Sequence, residues 1–144
     1  MPERRTLGFD EVAVGDELPR LEVPLTTTLI VAGAIASRDY QDVHHDLEMA
    51  RQRGTPHIFM NILTTNGWVG RFVSDWAGPD ALFKKVAIRL GAPNHPHDTM
   101  TLSGRVVAKR REGREGLVDV EVRGANSLGD HVTGTVRVAL PVGV

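Results

Sequence analysis

Residues 55–79, TPHIFMNILTTNGWVGRFVSDWAGP, contain the pattern on which the fold depends. Apolar side chains recur here at intervals that suit one face of a helix with 3.6 residues per turn. They are Ile58, Ile62, Val69, Phe72, Val73 and Trp76. Thr55-Pro56 supplies an N-cap and a first helical residue, so we expect the helix to begin there and to end at Gly78-Pro79. At about 1.5 Å per residue it is long enough to cross a small domain as its central element.

After this stretch the apolar period changes from 3.6 to two, which is typical of strands with one buried face. The alternating stretches are residues 85–90, 99–103, 118–123 and 132–140. The polar stretch RREGREG, residues 110–116, is short enough to be a hairpin turn, and NSLGD, residues 126–130, is a second turn signal. Antiparallel strands behind a helical first half predict an α+β domain in which one sheet face covers the long helix.

The first half of the chain contains shorter signals. Leu18–Val23 predicts a first strand, which Pro24 is expected to end. A threonine cluster at residues 26–28 offers an N-cap for a short buried helix over residues 29–36, whose side chains are apolar all round. Residues 47–53 predict one or two further helical turns, ended by a glycine.

Length and composition exclude several classes of protein. A chain of 144 residues fits one domain, which we expect to span residues 1–144. Its 17 Lys and Arg and 18 Asp and Glu nearly cancel, so neither a nucleic-acid partner nor an anionic membrane is favoured. The start of the chain, Met1-Pro2-Glu3-Arg4-Arg5, leads into mixed polar sequence without a membrane span or an export signal, so we expect a cytoplasmic protein. Without cysteine there is no disulfide, no thiolate nucleophile and no sulfur ligand for zinc or iron.

The stretch SRDYQDVHHD, residues 37–46, carries three carboxylates and two imidazoles just after an apolar run. Asp39 and His44 lie five residues apart in irregular sequence, so a loop that leaves a helix can bring both side chains to one point. A carboxylate beside an imidazole can hold one water near neutral pH, which suits the addition or removal of water. An exposed polar loop is the competing interpretation, and composition alone favours that loop.

Two other kinds of site are possible but less favoured. A metal site would draw on His44, His45, Asp46 and His57, or on His95 with His97, yet no tight ligand spacing is present, so we expect no metal. A phosphate site would use Lys84, Lys85 and Arg89, although alternate charges on a strand are typical of an ordinary solvated face.

The segment Asp39-Tyr40-Gln41-Asp42-Val43-His44 resembles the D-F-N-P-L-H signature of MaoC-like (R)-specific enoyl-CoA hydratases. Ala50 with Gly54, and residues 58–63, IFMNIL, are similar to the A-x-x-x-G and I-A-H-G-M-L segments of that family. The likeness covers most of the chain. It implies a single hot-dog fold, an antiparallel sheet wrapped around a long central helix, with Asp39 and His44 as the catalytic pair.

Within that family, four segments are similar to the small MaoC-like subunits of actinobacterial steroid side-chain enoyl-CoA hydratases. They are residues 38–46, 58–64, 74–79 and 128–133. The resemblance implies a heteromer with a second, larger hot-dog subunit that lacks the catalytic pair. It also implies hydration of a steroid enoyl-CoA with a shortened side chain, in which the CoA thioester is substrate and no cofactor is needed. A homodimer, a non-catalytic partner subunit and an acyl-CoA thioesterase remain alternatives.

The sequence departs from the family at three places. Arg38 replaces the glycine before the catalytic aspartate, Gln41-Asp42 replaces Asn-Pro, and Met60-Asn61 replaces His-Gly. In the family the glycine amide, at a helix N-terminus, binds the thioester oxygen and stabilises the enolate that forms as water adds. Here we expect the amide of Asn61 or Ile62 to take that role in a reshaped pocket.

Overall fold

A computed structural model describes residues 4–143 of the chain. Met1, Pro2, Glu3 and Val144 lie outside this range, so part of the stretch used for the export prediction is not described. Within it the elements are β1 (Glu17–Leu25), α1 (Thr27–Ala36), α2 (Leu47–Gln52), α3 (Ile62–Ala77), β2 (Leu82–Leu90), β3 (Asp98–Glu112), β4 (Glu115–Asn126) and β5 (Gly129–Leu140). Single 3₁₀ turns are found at Phe9–Glu11 and Asp42–His44. None of the helices in residues 4–143 is both long and apolar enough to span a membrane.

The strands form one five-stranded sheet in the order β1-β3-β4-β5-β2. Every neighbouring pair is antiparallel, and β1 and β2 are the edge strands. The inner face of the sheet packs against α3 in a single buried cluster. The predicted α+β class, with an antiparallel sheet wrapped around a central helix, is therefore confirmed.

Alternation on the three central strands supplies most of this core. The fully buried side chains include Leu102 and Val106 on β3, Val118 and Val120 on β4, and Val136 and Val138 on β5, with Val69 and Val73 facing them from α3. Burying one such aliphatic side chain contributes about 1.5–3 kcal/mol to folding. The period of two that was read from the sequence thus determines which face covers the helix.

The predicted start of the long helix is wrong. α3 begins at Ile62, and Asn61 is its N-cap, with a side-chain oxygen that accepts a hydrogen bond from the Thr64 amide at 3.2 Å. Residues 55–61 are not helical because their backbone groups bond to distant segments. The Phe59 amide donates to the Val43 carbonyl at 3.2 Å, and the Met60 amide to the Asn94 carbonyl at 3.0 Å.

The end of α3 is confirmed, and its glycine has a specific reason. Gly78 has φ 98°, a left-handed backbone that favours glycine, and its amide bonds to the Ser74 carbonyl. A Cβ on Gly78 would lie 2.3 Å from the Cα of Thr6. The N-terminal segment therefore crosses directly over the last turn of the helix.

The smaller elements agree with prediction in part. The hairpins at Gly113 and at Ser127-Leu128 are confirmed, as is Thr26 as N-cap of α1, with its oxygen 3.0 Å from the Leu29 amide. Pro24 does not end β1, because an edge strand has a free side where the missing N–H costs nothing. α1 is only half buried: Ile30 and Ala34 face the core, whereas Ile35 is 55% exposed.

Candidate active site

The loop that carries Asp39 and His44 begins where α1 ends. Ser37 is the C-cap of α1, and its amide and hydroxyl both bond to the Gly33 carbonyl. Arg38 then adopts φ 56°, a left-handed conformation that costs a non-glycine residue about 1–2 kcal/mol. The Asp39 amide bonds to the Ala34 carbonyl at 2.9 Å, so the reversed chain brings this carboxylate back beside the end of the helix.

The structure brings Asp39 and His44 together, with Nε2 of His44 3.4 Å from Oδ2 of Asp39. Nδ1 of His44 lies 2.7 Å from the Phe59 carbonyl oxygen, which can only accept, so Nδ1 carries the hydrogen. In the neutral ring Nε2 then bears a lone pair, and it faces a carboxylate oxygen that is also an acceptor. A water at this point can donate one hydrogen to each group.

Asn61 adds a third polar group. Its Nδ2 donates to Oδ2 of Asp39 at 3.1 Å and to Oγ of Ser37 at 2.9 Å. The pKa of Asp39 is held below its ordinary value mainly by the hydrogen bond from Asn61, and further by the Gln41 amide and the nearby His44, against a smaller effect of desolvation. Asp39 is therefore ionised at neutral pH and ready to accept a proton.

The first turn of α3 faces this pair. Asn61 is 2% exposed, and its Oδ1 accepts a hydrogen bond from the Thr64 amide. The amides of Ile62 and Leu63 also lie in the first turn of α3, where backbone amides have no acceptor within the helix. The positive end of the helix dipole thus lies next to the site. Asn61 and Ile62 are where an oxyanion donor is expected, but their role, like the catalytic role of Asp39 and His44, stays a prediction.

The remaining charged residues of the stretch hold the loop. Asp42 forms a two-point ion pair with Arg53, at 2.7 Å from Nε and 3.0 Å from Nη2. Asp46 caps α2 by accepting from the Met49 amide at 3.0 Å. His45 is exposed, with Nε2 3.3 Å from the Tyr40 carbonyl. Through these contacts Asp42, His45 and Asp46 support the loop that carries Asp39 and His44.

The imidazoles proposed for a metal have other partners. Nδ1 of His95 donates to the Ile58 carbonyl at 2.9 Å, and Nδ1 of His57 accepts from the Ile58 amide at 2.9 Å. His57 and His97 stack edge to face with ring centres 6.0 Å apart. Across residues 4–143, no group of three or more His, Asp or Glu side chains is arranged to hold a metal ion.

One buried residue near the site was not singled out by the sequence. Nδ1 of His131, at the start of β5, donates to the Ala92 carbonyl at 2.7 Å, which leaves Nε2 to accept from the Thr65 hydroxyl at 2.8 Å. Burial lowers the pKa of His131, more than the bond to Ala92 raises it. Because Thr65 lies in the first turns of α3, His131 anchors the helix start to the sheet. The LGDHVT segment contains this histidine, but nothing local to it indicates burial.

An open, mainly apolar groove of about 360 Å³ runs between α1 and α3 and reaches Ser37. Its walls include Ala36, Leu63 and Trp68, and Gly67 leaves open space where a side chain would stand. Leu63 is 53% exposed there. An apolar surface therefore reaches Ser37, which Asn61 links to Asp39, and an apolar surface beside a few polar groups is typical of a small-molecule site.

Comparison with known proteins gives one near relative and many similar folds. No protein-family model matches the chain. It is 50% identical over 127 residues to the 3-oxo-4,17-pregnadiene-20-carboxyl-CoA hydratase beta subunit of Mycobacterium tuberculosis, covering 88% of this chain and 95% of that protein. A chain of the ChsH1-ChsH2 complex from the same organism matches with a TM-score of 0.84 and 49% identity, over 90% of this chain and 98% of that chain. R-hydratase PhaJ1 from Pseudomonas aeruginosa shares the fold, with a TM-score of 0.85 and 17% identity, over 96% and 88%.

Proposed function

The chain belongs to the MaoC-like hydratase family, together with the steroid-CoA hydratase beta subunit that it matches along most of both lengths, and we propose that it is the catalytic subunit of such an enzyme. Its reaction is the addition of water across the 2,3-double bond of a trans-2-enoyl-CoA. The substrate is a steroid-CoA with a shortened side chain, as the name of the relative indicates.

The observation that carries this proposal is the geometry of Asp39 and His44. Two acceptors, Oδ2 of Asp39 and the Nε2 lone pair of His44, lie 3.4 Å apart. Neither can bond to the other until a proton is supplied, whereas one water satisfies both. The pair thus orients the oxygen lone pair of that water away from itself, toward a bound substrate.

The chemistry follows in two steps. Asp39 accepts one proton of the water while the remaining hydroxide bonds to C3, and the π electrons move to the thioester oxygen as an enolate. An amide at the start of α3 donates to that oxygen, where the helix dipole also favours negative charge. A proton then reaches C2 through the Asp39–His44 pair, which returns to its first state. Water, substrate and the chain's own residues balance the reaction, so the proposal needs no metal and no cofactor beyond the CoA of the substrate.

The edge of the sheet explains why a second subunit is needed. Leu82 and Phe83 on β2 are exposed, and the inward side chains Val86 and Ile88 are only partly covered by α3. A second hot-dog subunit that pairs along β2 extends the sheet and covers these residues. The solved relative comes from a two-subunit complex, and the same arrangement here gives a heteromer. The cytoplasm, where CoA thioesters are made and used, is the compartment that this proposal requires.

The test is hydration by the co-purified heteromer. It is incubated with a steroid enoyl-CoA and with a straight-chain enoyl-CoA, and loss of the conjugated thioester absorbance is followed alongside free CoA. We expect absorbance loss on the steroid substrate without CoA release. CoA release would instead identify a thioesterase, and activity that survives Asp39→Asn would place the chemistry in the partner subunit.

A further inference from the structure

Asn61 occupies a position where one side chain touches two parts of the site. Its amide lies between the end of α1, where Ser37 and Asp39 are found, and the first turn of α3. The residue is 2% exposed, and both polar atoms of its side chain have partners. The family from which the chain departs here has glycine, which has no side chain to place at this point.

The orientation of the amide is fixed from both ends. Oδ1 must face Thr64, because it accepts from both the amide and the hydroxyl of that residue, and neither partner offers Nδ2 an acceptor as good. Both hydrogens of Nδ2 then point at Asp39 and Ser37. The hydroxyl of Ser37 donates its hydrogen to the Gly33 carbonyl at 2.7 Å, so its Oγ can only accept from Asn61.

This network assigns separate tasks to the two oxygens of Asp39. Oδ1 accepts from the Gln41 amide at 3.3 Å, and Oδ2 accepts from Asn61 while it faces His44. A carboxylate oxygen has two lone-pair sites, so Oδ2 keeps one for the proton of the attacking water. We propose that Asn61 is a positioning residue for hydration, whose side chain fixes the reactive oxygen of Asp39 relative to the first turn of α3.

The inference rests on the proposed function. In that reaction Asn61 connects the group that accepts the proton with the helix start that stabilises the enolate. Asp39 takes up the proton, whereas the start of α3 stabilises the enolate. One side chain bonded to both keeps their separation constant, which is what a bound thioester requires of its base and its oxyanion donor. The groups that face Asp39 and bear on its pKa are the Asn61 amide, the Gln41 amide and the imidazole of His44. Of these, Asn61 lowers it most.

Two substitutions separate positioning from helix capping. Serine and aspartate both cap helices about as well as asparagine, so Asn61→Ser and Asn61→Asp keep the bond to the Thr64 amide. Both keep the backbone N–H of residue 61, but neither has the side-chain amide that donates to Asp39 in the wild type. Thr26→Ala is the matched control, because it removes the side-chain cap at the start of α1, at the opposite end of that helix from Asp39.

The experiment measures kcat and kcat/KM against pH for the heteromer that contains each variant, with thermal unfolding beside it. For Asn61→Ser we expect kcat to fall about tenfold, as the loss of a hydrogen bond to a charged group predicts. The acid limb of the profile should also move to higher pH, since Asp39 is then ionised less readily. Asn61→Asp should move that limb further through repulsion between two carboxylates, although the helix is capped as well as before. Thr26→Ala should lower the unfolding temperature and leave the limb in place.

A second readout does not depend on activity. Carbon NMR of carboxyl-labelled aspartate, with Asp39 assigned through Asp39→Asn, should show a higher pKa of Asp39 in Asn61→Ser than in the wild type. An unchanged pKa and an unchanged acid limb would overturn the inference and leave Asn61 as a helix cap. If the wild-type heteromer hydrates no enoyl-CoA while the pKa still rises, the proposed function is wrong although the contact to Asp39 is as described.

Discussion

The sheet and the loop between α1 and α3 are held together by different forces. The sheet, which comprises β1 to β5, buries alternate aliphatic side chains against α3, and many equivalent contacts share its stability. Residues 37–61 bury few large side chains and depend on single polar contacts, such as those of Asn61, Asp42 and His44. A change in the sheet should therefore act on folding, and a change in the loop on catalysis.

The largest expected effect in the loop is that of His44→Gln. Glutamine can still donate to the Phe59 carbonyl, but its amide cannot take up and return a proton as an imidazole does. We expect kcat to fall by about 10²–10⁴-fold, the usual contribution of a general acid or base, while the unfolding temperature changes little. The control is His45→Gln, since His45 is exposed and makes no contact with Asp39. A similar loss in both variants would contradict the assignment of His44.

The matching change in the sheet is Leu102→Ala. Leu102 is fully buried on β3, and truncating it should lower the free energy of unfolding by about 2–5 kcal/mol. Urea unfolding measures this, with Ser103→Ala on the opposite face as control, expected to change it by less than about 0.5 kcal/mol. Among molecules that remain folded, kcat should be unchanged. A large fall in kcat per folded molecule would mean that sheet and loop are coupled.

His131 joins the sheet to the first turns of α3, and its burial predicts a pH dependence of stability. Burial favours its neutral form, so its folded pKa is below the ordinary value of 6.5. Its contribution to stability is complete above that value and is lost as pH falls below it. Urea unfolding should be measured at pH values about one unit above and below 6.5. From the higher to the lower pH, the free energy of unfolding should fall less in His131→Gln than in the wild type. Equal falls would show that His131 does not titrate on unfolding.

A smaller effect is expected from the ion pair of Asp42 and Arg53, which is partly exposed. Arg53→Ala should lower kcat by less than about tenfold, because exposed pairs contribute little but this one supports the turn between Asp39 and His44. Added salt screens the ion pair, so it should lower the kcat of the wild type toward that of the variant. The kcat of Arg53→Lys should lie between those of the wild type and Arg53→Ala, because an ammonium group cannot form the two-point contact of the guanidinium. A variant as fast as the wild type at low salt would show that the turn holds without the pair.

The sequence predicted what depends on neighbouring residues. Alternation gave the strands, and the threonine cluster gave the cap of α1. The start of α3 differs from the prediction because Ile58 fits the helical spacing, whereas Phe59 and Met60 bond to Val43 and Asn94 and keep this stretch out of the helix. Asn61 is itself a good N-cap residue, but Thr55-Pro56 offered a stronger local signal.

The site shows the same limit. Spacing suggested Asp39 and His44 without deciding between a site and a loop, and only the family resemblance favoured the site. The contact from Asn61 to Asp39 joins residues 22 apart, and that from Thr65 to His131 joins residues 66 apart. A local sequence pattern cannot predict such contacts, because they form only when the sheet has closed around α3.

In the proposed reaction Asp39 accepts the proton of the attacking water. This role is tested most directly by the heteromer with Asp39→Asn, assayed on the steroid enoyl-CoA beside the wild type. The wild type should hydrate the substrate, and the variant should assemble and unfold like the wild type while its kcat falls by about 10²–10⁴-fold. Hydration at the wild-type rate by the variant would show that Asp39 does not accept that proton.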